Sequence, residues 1–258
     1  MSSPEPALVI SGLTKRYGRV EAVSSLTLSA MPGEIYAFLG PNGAGKTTTL
    51  RCVAGLLLAD AGSIEVCGFK VQPDAIPFRE VLAYVQDRPY LYEKLTAWEY
   101  LEFLASARGL KGWHEKAERF LGLFGLSDWR HALVEGFSHG MRQKLALTGA
   151  LLHEPRLLMV DEPMVGLDPR SSRDVRQLFK ALAGSGVCLF LSTHSLDMAQ
   201  AVADRIGILH KGRLVAEGTF AQLQALSHQP DSSLEEVFIR LTEDSLEDTA
   251  SKTVAANE

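Results

Sequence analysis

The sequence predicts an α/β fold with a parallel-sheet core, a small antiparallel β subdomain and an inserted α-helical subdomain. Three features carry that expectation. An apolar run, Ile35 to Leu39, leads into the glycine-rich stretch from Gly40 to Thr47 and then into a helix-forming segment, Thr48 to Leu58. A strand, helix and strand follow one another over residues 157–191, the rhythm of parallel strands joined by a crossover helix. Between these two blocks, from Arg88 onward, the apolar residues fall at helical spacing.

Before the glycine-rich stretch, Ala7 to Ile10 and Leu26 to Leu28 read as strands, parted by a turn-rich segment, Leu13 to Gly18, that carries Tyr17. Met31 to Glu34 turns the chain into the Ile35 run. Judged alone, Tyr17 reads as half-buried packing. After it, Asp60 to Ser63 marks a turn, Ile64 to Cys67 a short strand, and Val81 to Val85 another that delivers Gln86 at its end. These short strands indicate the small β layer.

Within the insertion, Thr96 and Glu99 form a capping box ahead of Trp98, Leu101, Leu104 and Ala105 on one helical face. Ala117, Phe120, Leu121 and Phe124 repeat the spacing and read as core. A third helix starts near Ser138 or His139, carries Leu145, Leu147 and Leu151, and stops before Pro155. Then Leu157 to Val160 reads as a buried strand, followed by a helix after Pro169 carrying Val175, Leu178, Phe179 and Leu182, and by a strand from Val187 to Leu191. Ile206 to Leu209 and Arg213 to Val215 flank Lys211-Gly212 as a hairpin, and residues 221–226 and 234–241 form final helices. The acidic end from Glu243 reads as mobile.

The totals narrow the class. With 258 residues, 46% of them hydrophobic, the chain buries a full core, and a formal charge of −5 speaks against a nucleic-acid partner. Its three cysteines, Cys52, Cys67 and Cys188, lack metal spacing and fit a reducing cytosol. No run reaches the length of a membrane span, and Met1 to Pro6 lacks the features of a signal peptide, so any membrane role requires another subunit to supply the span.

Chemistry concentrates at three places. Gly40, Pro41, Asn42, Gly43, Ala44, Gly45, Lys46, Thr47 and Thr48 read as a phosphate-binding P-loop, whose glycines turn backbone N–H groups inward at a helix start. Lys46 places its charge on the β and γ phosphates, and Thr47 joins a mostly aqueous Mg2+ shell. Asp161 and Glu162 end a strand beside the P-loop strand, the edge where open α/β sheets bind ligands. Asp161 serves as the Mg2+ holder, and Glu162 turns to the γ phosphate to orient or deprotonate water. His194, ending the Val187 strand after Ser192 and Thr193, exits toward the same edge.

Taken in order, Tyr17, Gly40 to Thr47, Gln86, Phe137-Ser138-His139-Gly140-Met141, Leu157 to Glu162, Gly166-Leu167-Asp168 and His194 resemble the nucleotide-binding domain of an ATP-binding cassette ATPase. The resemblance spans about residues 7–220. It implies that Tyr17 stacks on adenine, that Gln86 links the γ phosphate and Mg2+ to the helical insertion, and that Ser138 and Gly140 cap ATP held by an opposite subunit. Asp168 then touches that subunit and His194 bonds the γ phosphate. Phe137, His139, Met141 and Met164 depart from the usual residues at their positions. The form Phe-Ser-His-Gly-Met-Arg-Gln and the end Ser233 to Phe238 resemble lone-cassette subunits of ABC-2 exporters.

By that resemblance the chain is a Mg-ATPase that pairs with a second nucleotide-binding subunit, a copy or a related chain, and drives a separate transmembrane permease from the cytoplasmic face of the membrane. A soluble cassette ATPase of translation, nucleic-acid metabolism or cluster assembly is the alternative. Translation factors usually carry two cassettes, and chromosome-structure relatives need a long coiled coil between Gln86 and Ser138. The chain divides as 1–87, the β subdomain and first part of the core; 88–154, the helical subdomain; 155–220, the second part of the core; and 221–258, terminal helices and tail.

Overall fold

The computed structural model describes residues 5–227 and 232–243. Its strands are β1 (Leu8–Tyr17), β2 (Val20–Ala30), β3 (Ile35–Leu39), β4 (Ala61–Val66), β5 (Phe69–Lys70), β6 (Leu82–Val85), β7 (Leu157–Asp161), β8 (Cys188–Thr193), β9 (Arg205–His210) and β10 (Arg213–Gly218). The helices are α1 (Lys46–Val53), α2 (Pro77–Val81), α3 (Ala97–Ala107), α4 (Trp113–Leu123), α5 (His139–Leu151), α6 (Pro169–Gly184), α7 (Leu196–Val202) and α8 (Phe220–Leu226), and residues 234–243 are helical as well. Met1 to Pro4 and the acidic stretch beyond Glu243 lie outside the described residues.

Two sheets form. The larger runs β10-β9-β3-β8-β7-β6, parallel from β9 to β6 and closed at one edge by the antiparallel hairpin of β9 and β10. Every residue of β3, β7 and β8 is buried, as a sheet covered on both faces requires. On one face Leu158, Val160, Leu189 and Leu191 share a core with Leu101, Phe120, Leu145 and Phe179 from the helices. On the other, Phe38, Met159 and Phe190 share a core with Leu50 of α1 and with the antiparallel sheet β2-β1-β4-β5. Each ring and branched side chain there contributes roughly 1.5–3 kcal/mol by leaving water.

Four expectations are corrected. The segment read as a turn, Leu13 to Gly18, continues β1 as far as Tyr17, because register shifts after Ile10, Leu13 and Lys15 let the strand bend while still pairing with β2. These bulges break the alternation by which a strand is recognised. The first helix stops at Val53 rather than Leu58, where Gly55 takes a left-handed conformation with φ of 66°. The Val81 to Val85 strand belongs to the parallel sheet, as its edge strand β6, and not to the β layer; the short helix α2 precedes it. Finally, β8 separates β3 from β7, so the Asp161 strand is not the immediate neighbour of the P-loop strand.

Candidate functional site

The loop after β3 curls because its residues permit it. Gly45 sits at φ 108°, and a Cβ there would be driven into the Ala22 carbonyl oxygen, so no side chain fits. Gly45 is also the N-cap of α1, and it offers no side chain to bond the first N–H groups of the helix. Those donors stay open to an anion, with the positive end of the helix dipole behind them. Lys46 is buried and turns its Nζ back onto the carbonyls of Gly40 at 2.6 Å and Pro41 at 3.2 Å. Burial lowers its pKa, an effect that the carboxylates of Glu162 and Asp161 oppose.

Across the cavity, the Thr47 hydroxyl donates to Asp161 Oδ2 at 2.9 Å. Asp161 is buried, which raises its pKa, while the Ser192 and Thr47 hydroxyls and the Lys46 charge pull it back down. Glu162 leaves β7 with φ 51°, a left-handed conformation that costs a non-glycine residue roughly 1–3 kcal/mol. Its backbone N–H is fixed by the Ser192 carbonyl at 2.8 Å. The carboxylate accepts from Thr193 Oγ1 at 3.1 Å, from the His194 backbone N–H at 3.1 Å, and pairs with His194 Nδ1 at 2.7 Å.

A cavity of about 250 Å³ collects Pro41, Asn42, Gly43, Gly45, Lys46, Thr47, Thr48, Asp161 and Glu162. Gly40 follows β3 and accepts from Lys46 Nζ, and Ala44 is buried in the loop itself. Two further wall residues, Ala22 and Asp87, went unread in the sequence. Asp87 was adjacent to a residue singled out, and only the exit angle of β6 decides which of the pair faces the cavity. Gln86 lines a neighbouring cavity instead, together with Tyr90, Tyr100, Arg108 and His153.

Other sequence candidates lie apart from this cavity. Tyr17 ends β1 with about half of its surface (48%) open to solvent. Ser138 caps α5, accepting from the Met141 N–H at 3.3 Å, and is exposed. Gly140 presses against the turn at Gly166, where a Cβ would come within 2.5 Å of the carbonyl oxygen. Asp168 caps α6, accepting the Arg170 and Ser171 N–H groups at 3.0 Å each, and its bond to Ser171 holds its pKa down to about 2. Thr193, unassigned in the sequence reading, emerges as a direct partner of Glu162; the register of β7 against β8 was the missing signal.

The donor set also fits a hard divalent cation. Thr47 and Asp161 offer oxygen alone, 2.9 Å apart and beside the phosphate nest, which suits Mg2+ rather than a sulfur- or nitrogen-seeking metal.

A phosphate nest and an acidic pair at the carboxyl edge of a parallel sheet place the chain among P-loop ATPase folds. Comparison narrows the class. The family model described as ABC transporter matches residues 23–165, more than half of the 258, and the chain belongs to that family. It is 35% identical over 93% of its length to the probable multidrug ABC transporter ATP-binding protein YbhF of Escherichia coli, of which the match covers 42%. It is 37% identical over 87% of its length to the daunorubicin/doxorubicin resistance ATP-binding protein DrrA of Streptomyces peucetius, covering 68% of that protein. The chain thus spans less than half of one relative and about two thirds of the other. A solved ATP-binding subunit of an ABC transporter superposes with a TM-score of 0.87 at 32% identity, covering 92% of this chain and 99% of the other.

Proposed function

We propose that the chain is the ATP-hydrolysing subunit of an exporter: two such subunits close around two Mg-ATP and drive a separate permease. The observation that carries this reading is Glu162, held over the phosphate cavity in a left-handed conformation by Thr193, His194 and Ser192. Backbone strain over-determined in this way clusters at active sites.

In this reading Lys46 leaves the Gly40 and Pro41 carbonyls to meet the β and γ phosphates, and the open N–H groups of α1 take the remaining phosphate oxygens. Thr47 and Asp161 would hold Mg2+, with Gln86 reaching toward it and the γ phosphate from its adjacent cavity; bound there, Mg2+ would supply positive charge against that developing on the phosphates. Glu162 accepts a hydrogen bond from the attacking water and takes its proton. His194, paired through Nδ1 with Glu162, turns its ring toward the γ phosphate to hydrogen-bond it. Tyr17 offers its exposed ring to adenine.

Ser138 and Gly140 do not line the phosphate cavity of their own chain. That separation supports a shared site, in which they and the Asp168 turn meet ATP bound by the partner subunit. ATP, contacted from both sides, favours the closed pair and ADP does not. For the permease, a groove of about 690 Å³ beside the Gln86 segment exposes Tyr90, Tyr92 and Phe103, apolar surface suited to a helix of a partner. Among the described residues no helix is long and apolar enough to cross a membrane, which is consistent with attachment at the cytoplasmic face through that permease. The drug-resistance and multidrug-transporter names of these relatives support the exporter direction. The test is turnover: purified chain should release phosphate from ATP only with Mg2+, and co-purification from detergent-solubilised membranes should recover the permease. Failure of both removes the reading.

A further inference from the structure

Ser192 is wholly buried in β8, and its hydroxyl faces the Asp161 carboxylate, whose pKa it pulls down, without completing a full hydrogen bond there. Buried hydroxyls are seldom left in that state. Its backbone carbonyl already accepts the Glu162 N–H at 2.8 Å, so the residue touches the catalytic segment. In register across the parallel sheet, the residue opposite Ser192 is Asp161. Side chains opposite one another in register point to the same face. The next hydroxyl along, Thr193, points the other way and is engaged by Glu162 and by the Ser195 N–H at 2.9 Å. The strand end therefore divides its two hydroxyls: one serves the Glu162 carboxylate, and the other faces Asp161.

Asp161 is itself nearly inaccessible, and the Thr47 hydroxyl donates to its Oδ2. A carboxylate so enclosed needs further donors on its remaining lone pairs to keep one orientation. No solvent reaches the Ser192 hydroxyl to compete for it.

We propose that Ser192 is a positioning residue: its hydroxyl donates to Asp161 and fixes the carboxylate in the orientation that serves the magnesium of Mg-ATP. The inference rests on the reading of Thr47 and Asp161 as the metal-holding pair. A small rotation of the serine about its Cα–Cβ bond suffices, with no movement of the backbone that anchors Glu162.

The test uses Ser192→Ala, with Ser192→Thr as the hydroxyl-retaining rescue, each in a Glu162→Gln background so that nucleotide is not consumed. A fluorescent ATP analogue is titrated in EDTA, and Mn2+ binding to the nucleotide complex is followed by electron paramagnetic resonance. Analogue affinity without metal should be the same in all three proteins. The Mn2+ dissociation constant should rise about tenfold in Ser192→Ala, the lower end of what loss of an outer partner costs a metal site, and return toward the parent in Ser192→Thr. The melting temperature of Ser192→Ala without metal should change little, since the hydroxyl completes no full bond in the metal-free protein. Should the threonine variant fail to fold, the alanine variant decides alone. Unchanged Mn2+ affinity in Ser192→Ala overturns the inference while leaving the metal reading intact. A parent protein that gains no nucleotide affinity from metal overturns both.

Discussion

Nδ1 of His194 stands 2.7 Å from Oε1 of Glu162, and the backbone N–H of the same histidine reaches the same oxygen at 3.1 Å. Histidine and glutamate come from the ends of two adjacent strands, β8 and β7, and each depends on the register between them. A carboxylate fixed by three donors is aimed before substrate arrives. Its remaining lone pairs are the ones available to a water.

Glu162→Gln keeps the shape and most of these bonds but removes the base. Phosphate release should fall by about 10²-fold or more, with ATP affinity by calorimetry within a few-fold of the parent and an ATP-dependent dimer now stable on gel filtration. Undiminished turnover would remove Glu162 from the mechanism.

Lys46→Ala deletes the charge that the nest keeps buried against Gly40 and Pro41. A charge-assisted bond to phosphate is worth enough to weaken ATP binding by about 10- to 100-fold when lost. Calorimetry checks this directly, and equal affinity would argue against the P-loop assignment.

Ser138 caps α5 well away from its own phosphate cavity, so Ser138→Arg tests which protomer it serves. In a mixed dimer carrying Ser138→Arg on one chain and Lys46→Ala on the other, the two lesions share one site if the serine serves its partner. The second site then remains whole and retains about half of the wild-type turnover. Loss at both sites would place the serine's action within its own chain.

Burial, reinforced by the Arg108 charge, holds the His153 pKa down to about 4, against a 3.1 Å bond from its ring to the Leu82 carbonyl. The folded state binds fewer protons there than the unfolded chain, whose histidine titrates near 6.5. Stability from this group is complete above about pH 6.5 and declines as pH falls toward 4. A His153→Gln variant should therefore show a flatter melting temperature over that window than the parent. Parallel curves would refute the assignment.

Arg205 of β9 ties the two sheets together. It pairs with Glu34 at 3.0 Å, approaches Glu217 at 3.6 Å, donates to the Ser29 carbonyl of β2, and covers the Tyr36 ring. Glu34 is partly buried, and its pKa is raised by that burial. Arg205→Met strands both carboxylates, and discounted for partial exposure the loss should be about 2 kcal/mol in urea unfolding. Nucleotide affinity of the folded variant should hold. A change below the error of the unfolding curve would leave Arg205 a surface ion pair.

The glycine-rich loop, the acidic pair and the helical insertion were legible along the chain because each is a local pattern. A turn that demands Gly45, a strand ending in Asp161-Glu162, and the capping box at Thr96 and Glu99 depend on neighbours a few residues away. The continuation of β1 to Tyr17 was not legible, since its bulges are set by pairing with β2 and β4.

Sequence alone thus determined the fold class, the family resemblance and the residue types of the phosphate site. Tertiary structure alone decided that β8 enters between β3 and β7, that Asp87 rather than Gln86 faces the phosphate cavity, and that Thr193 and His194 converge on Glu162. The physical reason is register. Local pattern fixes which residues end a strand, but which strand ends meet depends on how separate segments pair and pack, and no short window of sequence contains that.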